Sequence, residues 1–112
     1  MAIRLATLPV EEVRALAGLQ GYPRWAGGMT VDCRLIEDHL AGEHVIPPSD
    51  DRDPNAPLAP EEHAGRIAWL VKNVARNGCS ITIRDGRIQD GNHRLAAALY
   101  RGDDLVRVCF MD

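Results

Sequence analysis

The stretch that decides the predicted fold is Arg84-Asp85-Gly86-Arg87-Ile88-Gln89-Asp90-Gly91-Asn92-His93-Arg94-Leu95-Ala96-Ala97-Ala98. Within it, Asp85-Gly86 is a strong signal for a two-residue turn that joins two short strands into a hairpin. The alanine-rich run after Gly91 is typical of a helix. These residues therefore predict a strand, a tight turn, a second strand and then a helix that opens on glycine, histidine and arginine.

The start of this helix is the first candidate functional site. The first amides of a helix have no acceptors within it and carry the positive end of the helix dipole, so they attract anions. Arg94 adds a guanidinium that can grip phosphate oxygens bidentately, and His93 adds an imidazole donor. A phosphate-bearing ligand is the first functional hypothesis. The alternative is structural: Asp90 only caps the helix, and the two basic residues are solvated on its first turn.

Working outward, alternation of apolar and polar residues predicts the remaining strands. Ile81 and Ile83 alternate with polar neighbours before the hairpin, and Val106, Val108 and Phe110 do so near the end of the chain. The fold class is therefore α/β (α+β), with a small mixed sheet packed by helices. Its predicted strands are residues 2–6, 80–84, 87–89 and 105–110.

Apolar residues at helical spacing predict three further helices. The first has Pro9 at its first helical position and ends near Gly18 or Gly21. The second has Thr30 as its N-cap and Gly42 as its stop, with an extended conformation of residues 31–36 as the alternative. The third and clearest runs from Pro60 to Arg76 and is closed by Asn77-Gly78. Their apolar stripes are Val10, Val13, Leu16 and Ala17 in the first; Cys33, Ile36 and Leu40 in the second; and Ala64, Ile67, Ala68, Val71 and Ala75 in the third.

Composition limits the classes of protein. A chain of 112 residues with 46% apolar and 26% charged residues is typical of one soluble globular domain, here residues 1–112. It has no run of about 20 apolar residues that could span a bilayer and no signal-peptide pattern, so we expect a cytoplasmic protein without membrane contact. Cys33, Cys79 and Cys109 show no close pairing; each is interpreted as a small buried apolar residue rather than part of a disulfide or zinc site.

The charge balance is a poor match for duplex DNA. The net charge is -3 and Lys72 is the only lysine, whereas duplex binding draws most of its affinity from cationic contacts. The arginines gather in the second half of the chain, which suits a compact phosphate site better than a track along DNA. These arginines are Arg84, Arg87, Arg94, Arg101 and Arg107.

Over residues 80–110 the pattern extends well beyond a helix start. Gly91, His93, Arg94 and Ala97 occupy the four diagnostic places of a Gly-x-(His/Arg)-Arg-x-x-Ala helix start, which follows a strand pair and precedes a glycine and a closing strand. In this the chain resembles the ParB/sulfiredoxin superfamily. The opening residues 3–13 also resemble that family's first strand and helix, while residues 21–57 correspond to nothing in it.

The resemblance implies a ParB/sulfiredoxin-like domain that binds a nucleoside triphosphate with Mg²⁺. By this resemblance Gly91 allows close backbone approach, Asn92 and His93 offer donors, and Arg94 pairs with phosphate oxygens. Asp90 is a candidate catalytic residue that would orient a water or a metal ion, although a capping role is the competing interpretation. Relatives that hydrolyse or transfer a phosphoryl group make NTP hydrolysis or phosphotransfer the expected activity, if there is one.

Two branches of the family are not expected. Sulfiredoxins carry a nucleophilic cysteine immediately before the histidine, and here that position is Asn92. Partition-type ParB proteins continue into a helix-turn-helix region, for which no residues remain after the last strand, so sequence-specific DNA binding is not expected for this chain alone. The open alternatives are a non-catalytic interaction protein of phage or plasmid type, with a protein partner, and a ParB-like nuclease or DNA-associated protein.

Residues 46–60 hold five prolines and three aspartates and are predicted to form a surface loop. The loop is interpreted either as a solvated connector or as a functional lid, in which Asp50, Asp51 and Asp53 could recruit Mg²⁺ to a bound nucleotide. No metal site made of protein ligands alone is predicted. His39, His44 and His63 lack a third ligand at a recognisable spacing, and Trp25 is the better of the two tryptophans for a nucleobase contact.

Overall fold

The sheet is mixed, and its strand order is β1-β4-β2-β3. The computed structural model describes residues 3–19, 22–23, 31–47 and 60–111. The strand β4 pairs antiparallel with β1 and parallel with β2, and β2 pairs antiparallel with β3. In chain order the elements are β1 (Ile3–Pro9), α1 (Val10–Leu16), α2 (Cys33–Ala41), α3 (Pro60–Asn73), β2 (Ser80–Arg84), β3 (Arg87–Asp90), α4 (Asn92–Arg101) and β4 (Leu105–Met111). The predicted fold class, a small α+β fold with a mixed sheet, is confirmed.

The hairpin between β2 and β3 forms as predicted. Asp85 and Gly86 both have positive φ, 53° and 76°, as a type I′ turn requires. Thr82 pairs with Asp90 and Ile83 with Ile88, so one extra residue of β3 bulges out of the ladder between them. A bulge bends its strand, and here it lies directly before the start of α4.

Helix α4 lies between two apolar clusters. On one side, Leu95 and Ala98 pack on the sheet. On the other, Ala96 and Ala97 pack against α2 and α3. All four side chains are completely buried, and three of them are alanines, whose small size allows close packing on both sides. The sheet face under α4 carries Ile81, Ile83, Val106 and Val108, each at most 3% exposed.

The first strand is longer than predicted, which moves the first helix boundary. Pairing with β4 continues to Pro9, opposite Leu105, so β1 runs to Pro9 instead of residue 6. Pro9 is consequently the N-cap of α1 and not its first helical residue. A proline is tolerated there because β1 is an edge strand, where the missing N–H breaks no interior ladder.

Two other helices also differ at their ends. The N-cap of α2 is Asp32, whose carboxylate accepts the Leu35 amide at 2.9 Å; the predicted cap, Thr30, lies outside the described residues. Cys33, predicted to be buried, is exposed at the first position of α2. Helix α3 ends at Asn73, three residues before the predicted Arg76.

The chain after α3 is held by a network that joins it to the turn before β4. The Arg101 guanidinium donates to both carboxylate oxygens of Asp103, at 2.7 Å each, and to the carbonyls of Val71 in α3 and Ala75 just after it. Asp103 also accepts the Asn77 amide, and the Asn77 side chain accepts the amides of Asp104 and Leu105. Asn77, with φ 61°, thus ties both segments together. Arg101 makes its hydrogen bonds within this network. The prediction that it joins the other four arginines in one phosphate site is therefore wrong.

No helix of the described ranges is long and apolar enough to cross a membrane. Most of the predicted 46–60 loop lies outside the described residues, including Asp50, Asp51 and Asp53. Its two flanks are described. The Ile46 amide donates to the Gly65 carbonyl at 3.0 Å, and Pro60 begins α3. Both flanks of the segment therefore meet the first two turns of α3.

We expect Asp103→Asn to lower the free energy of unfolding by ~1.5–3 kcal/mol at pH 7, because Arg101 loses its charged acceptor. Burial alone would raise the pKa of Asp103, but hydrogen bonds from Arg101 and the Asn77 amide outweigh it and hold this pKa below its ordinary value. The carboxylate therefore stabilises the fold above about pH 4, and that contribution is lost as the pH falls further.

Urea denaturation at pH 7 and pH 3 measures this effect, with Asp104→Asn, an exposed neighbour, as the control. The difference between wild type and Asp103→Asn should shrink at pH 3. An equal loss from both substitutions at pH 7 would contradict the role of the network.

Candidate functional site

The start of α4 is set by Gly91, the N-cap residue between β3 and the helix. Gly91 has φ 107° and ψ 19°, a left-handed conformation that side-chain-bearing residues rarely adopt. A Cβ here would lie 2.6 Å from the Ile81 Cγ2 atom and 3.0 Å from the Ile81 Cα atom. Only glycine lets the helix begin this close to β2.

The capping interpretation of Asp90 is wrong. Asp90 is the last residue of β3, the N-cap is Gly91, and the Asp90 side chain makes no cap hydrogen bond to the described residues of α4. The first amides of a helix have no carbonyl acceptors within it, and Gly91 has no side chain that could cap them. Asp90 is exposed at the mouth of a cavity instead.

This cavity, which we call the α4 cavity, has a volume of about 220 Å³. It brings together four of the five predicted site residues: Asp90, Gly91, His93 and Arg94. The fifth, Asn92, is half-buried at the first helical position and does not line the cavity. The rest of the described lining is Ile46, Arg66 and Leu70.

Arg66 is a site residue that the sequence did not reveal. It lies on α3, half-buried, and faces the start of α4 across the cavity. Ile46 lines the same side of the cavity, and its amide donates to the Gly65 carbonyl. Its side chain packs directly on Gly65: a Cβ at position 65 would lie only 2.7 Å from Ile46 Cδ1. Two arginines, Arg66 and Arg94, therefore line one cavity from two helices.

His93 is paired with a second histidine. Its Nε2 atom lies 2.8 Å from Nδ1 of His63 on α3, with the rings stacked at a centroid distance of 5.0 Å. Because only one proton fits between two nitrogens at this distance, one ring donates and the other accepts. His63 is only 4% exposed, so the pair anchors the His93 ring on the α3 side of the cavity.

Arg94 is exposed and extends across the start of β2. Its Nη1 atom donates to the Ser80 carbonyl at 3.2 Å. The same side chain lines the α4 cavity and a second, larger cavity on the open face of the sheet. This position leaves the other donors of the planar guanidinium available for an anion.

The other candidate residues do not join this site. Arg84 and Arg87 are exposed at the hairpin and line neither cavity, and His39 bonds to the Leu35 carbonyl. Across the described ranges, no three His, Cys, Asp or Glu side chains come together as a metal site. Trp25 lies outside the described residues.

In comparisons with known proteins, no family model, no curated protein and no solved structure matches the chain. Membership of the ParB/sulfiredoxin superfamily therefore stays a prediction. The geometry of the site, described above, is independent of it.

We expect Gly91→Ala to destabilise the protein more than Gly86→Ala does. Both replace a glycine with positive φ, at a cost of ~1–3 kcal/mol for the backbone conformation alone. The Gly86 Cβ would meet no atom within 4 Å, whereas the Gly91 Cβ would overlap Ile81 Cγ2 at 2.6 Å and crowd Ile81 Cα at 3.0 Å. Thermal or urea unfolding of the two variants measures the difference, and equal losses would contradict the contact as the reason for glycine at position 91.

Proposed function

We propose that the start of α4 binds the phosphate groups of a nucleoside triphosphate together with Mg²⁺. The observation that carries the proposal is the convergence, in the lining of one cavity, of a helix N-terminus with Arg66 and Arg94. The resemblance to ParB/sulfiredoxin proteins supports the same ligand class from the sequence.

The charges of the cavity favour a polyanion. A helix N-terminus carries roughly half a positive charge, and planar guanidiniums match pairs of phosphate oxygens. The cavity, at about 220 Å³, is smaller than the 300–1,000 Å³, roughly, of pockets that enclose whole ligands. Its size therefore suits the phosphate end of a nucleotide.

Asp90 explains why Mg²⁺ belongs in the proposal. It is the one acidic residue among the described residues of the cavity lining, and its carboxylate would repel a phosphate. Proteins usually bind Mg²⁺ through one or two carboxylates together with phosphate oxygens and water, and a single carboxylate beside a phosphate site fits that pattern. Asp90 would hold the ion, which supplies neutralisation of phosphate charge.

The same residues would support hydrolysis or phosphoryl transfer. In such reactions the protein mainly positions the groups and stabilises charge. Arg66 and Arg94 would hold the phosphate oxygens, Asp90 would orient a water, and the His63–His93 pair would accept or return a proton. The activity is tested by phosphate release, separately from binding.

A non-catalytic interaction protein is the second candidate. Ile3 and Leu5 on the edge strand β1 are 62% and 79% exposed, and exposed apolar residues on an edge strand are typical of partner contacts. A nuclease is less well supported, because the net charge of -3 opposes binding to DNA.

We expect Arg94→Ala to weaken binding of a Mg²⁺-nucleotide by about 10- to 100-fold, as the loss of a charge-assisted phosphate contact implies. Its effect on folding should be small, since the side chain is exposed and makes one hydrogen bond to the Ser80 carbonyl. Calorimetric titration with ATP, GTP, CTP and UTP, each with Mg²⁺, measures the change.

Arg87→Ala is the matched control, because it removes the same charge from an exposed position outside both cavities. It should bind like wild type. Equal affinity of Arg94→Ala and wild type, or an equal loss in both variants, would contradict the role of Arg94.

We expect Asp90→Asn to abolish most of the benefit of Mg²⁺. In wild type, Mg²⁺ should tighten nucleotide binding; in the variant that gain should fall about tenfold, because the ion loses a charged ligand. Binding without metal should stay equal or improve, since a repulsive charge is gone. Asp85→Asn, in the exposed turn of the hairpin, is the control, and an unchanged dependence on Mg²⁺ in Asp90→Asn would refute this role.

A further inference from the structure

The face of the sheet opposite the helices has a cavity of about 390 Å³, which we call the sheet-face cavity. Pairing of β1, β4 and β2 orders the residues of this face into rows across the sheet. One row is Thr7, Arg107 and Ser80, and the next is Leu5, Cys109 and Thr82. All six line the cavity.

The first row forms a basic end. Arg107 stands opposite Ser80 in the parallel pairing, and Arg94 donates to the Ser80 carbonyl from the other side. Both arginines line the cavity, and no described lining residue is acidic. Thr7 and Ser80 add hydroxyls at the same end.

The second row forms a neutral end, about 7 Å further along the strands, since it lies two residues away. Leu5 is 79% exposed and stands at the rim, while Cys109 and Thr82 are half-buried in the floor. An apolar surface beside one hydroxyl suits a flat ring that also carries hydrogen-bonding groups.

Arg94 joins this cavity to the α4 cavity. It is the only residue among the described linings that belongs to both, so the two cavities adjoin at Arg94. Together the two cavities fall within the size range, about 300–1,000 Å³, of pockets that hold whole ligands. A ligand whose phosphates fill the α4 cavity would therefore extend past Arg94 onto the sheet.

We propose that the nucleoside of the bound nucleotide occupies the sheet-face cavity, with its sugar beside the basic row and its base on the neutral row. This inference rests on the proposed function, which concerns the phosphates alone. It assigns Leu5, Thr82 and Cys109 to the base and Arg107 to the sugar–phosphate junction. The ligand class is accordingly a nucleoside triphosphate rather than an inorganic polyphosphate.

The first test compares nucleotides with inorganic tripolyphosphate, each with Mg²⁺, by calorimetry. We expect at least one of ATP, GTP, CTP and UTP to bind wild type more tightly than tripolyphosphate does. Leu5→Ser should lower the affinity for that nucleotide by about 5-fold, because an apolar contact is lost, and should leave the affinity for tripolyphosphate unchanged. Ile3→Ser is the matched control, an exposed apolar residue of the same strand and face that does not line the cavity.

The second test uses thiol alkylation and needs no substitution. Cys109 lies in the cavity floor, whereas Cys33 is exposed on α2 and lines neither cavity. The bound nucleotide should slow alkylation of Cys109 several-fold and leave the rate at Cys33 unchanged. Tripolyphosphate should protect neither cysteine.

The outcomes separate this inference from the proposed function. If tripolyphosphate binds as tightly as every nucleotide, or if the nucleotide fails to protect Cys109, the inference is overturned and the phosphate site stands. If neither nucleotide nor tripolyphosphate binds, the proposed function fails and the inference fails with it. If the protein binds no nucleotide but binds a protein partner, and both Leu5→Ser and Ile3→Ser weaken that binding, the sheet face is an interaction surface instead.

Discussion

The close approach of Gly91 to Ile81 is the constraint on which the rest of the site depends. Because position 91 has no Cβ, which would stand 2.6 Å from Ile81 Cγ2 and 3.0 Å from Ile81 Cα, the start of α4 can lie this close to the sheet. The alanines of α4 then pack against α3, which carries Arg66 and His63. This glycine thereby allows the helix N-terminus, Arg66 and Arg94 to line one cavity together with His93, whose ring is bonded to His63.

Local sequence signals predicted the elements around this contact well. Asp85-Gly86 specified the turn, and the alternation of apolar and polar residues specified β2 and β4, because each signal acts within a few residues. The errors lie at boundaries that long-range contacts decide. Pairing with β4 extends β1 to Pro9, and the network of Arg101, Asp103 and Asn77 holds the chain after α3 in a non-helical conformation.

The candidate site was predictable only in part, for the same reason. Gly91, His93 and Arg94 are neighbours in sequence, and their pattern was sufficient to single them out. Arg66 and His63 are about thirty residues away, and nothing in their local pattern distinguishes a residue facing α4 from one facing solvent. Arg101 shows the converse: composition grouped it with the arginines of the predicted phosphate site, whereas its guanidinium binds Asp103 and the Val71 carbonyl of α3.

Phosphate binding at the first turn of α4 would change the amide chemical shifts of that turn in a nucleotide titration. In two-dimensional ¹H–¹⁵N spectra recorded with ATP, GTP, CTP or UTP and Mg²⁺, the largest shifts should fall on the amides of Gly91, Asn92, His93 and Arg94, because these amides would donate to the phosphate oxygens. Amides of α2, which line neither cavity, should change little. Shifts confined to other regions, or no shifts with any of the four nucleotides, would contradict phosphate binding at the first turn of α4.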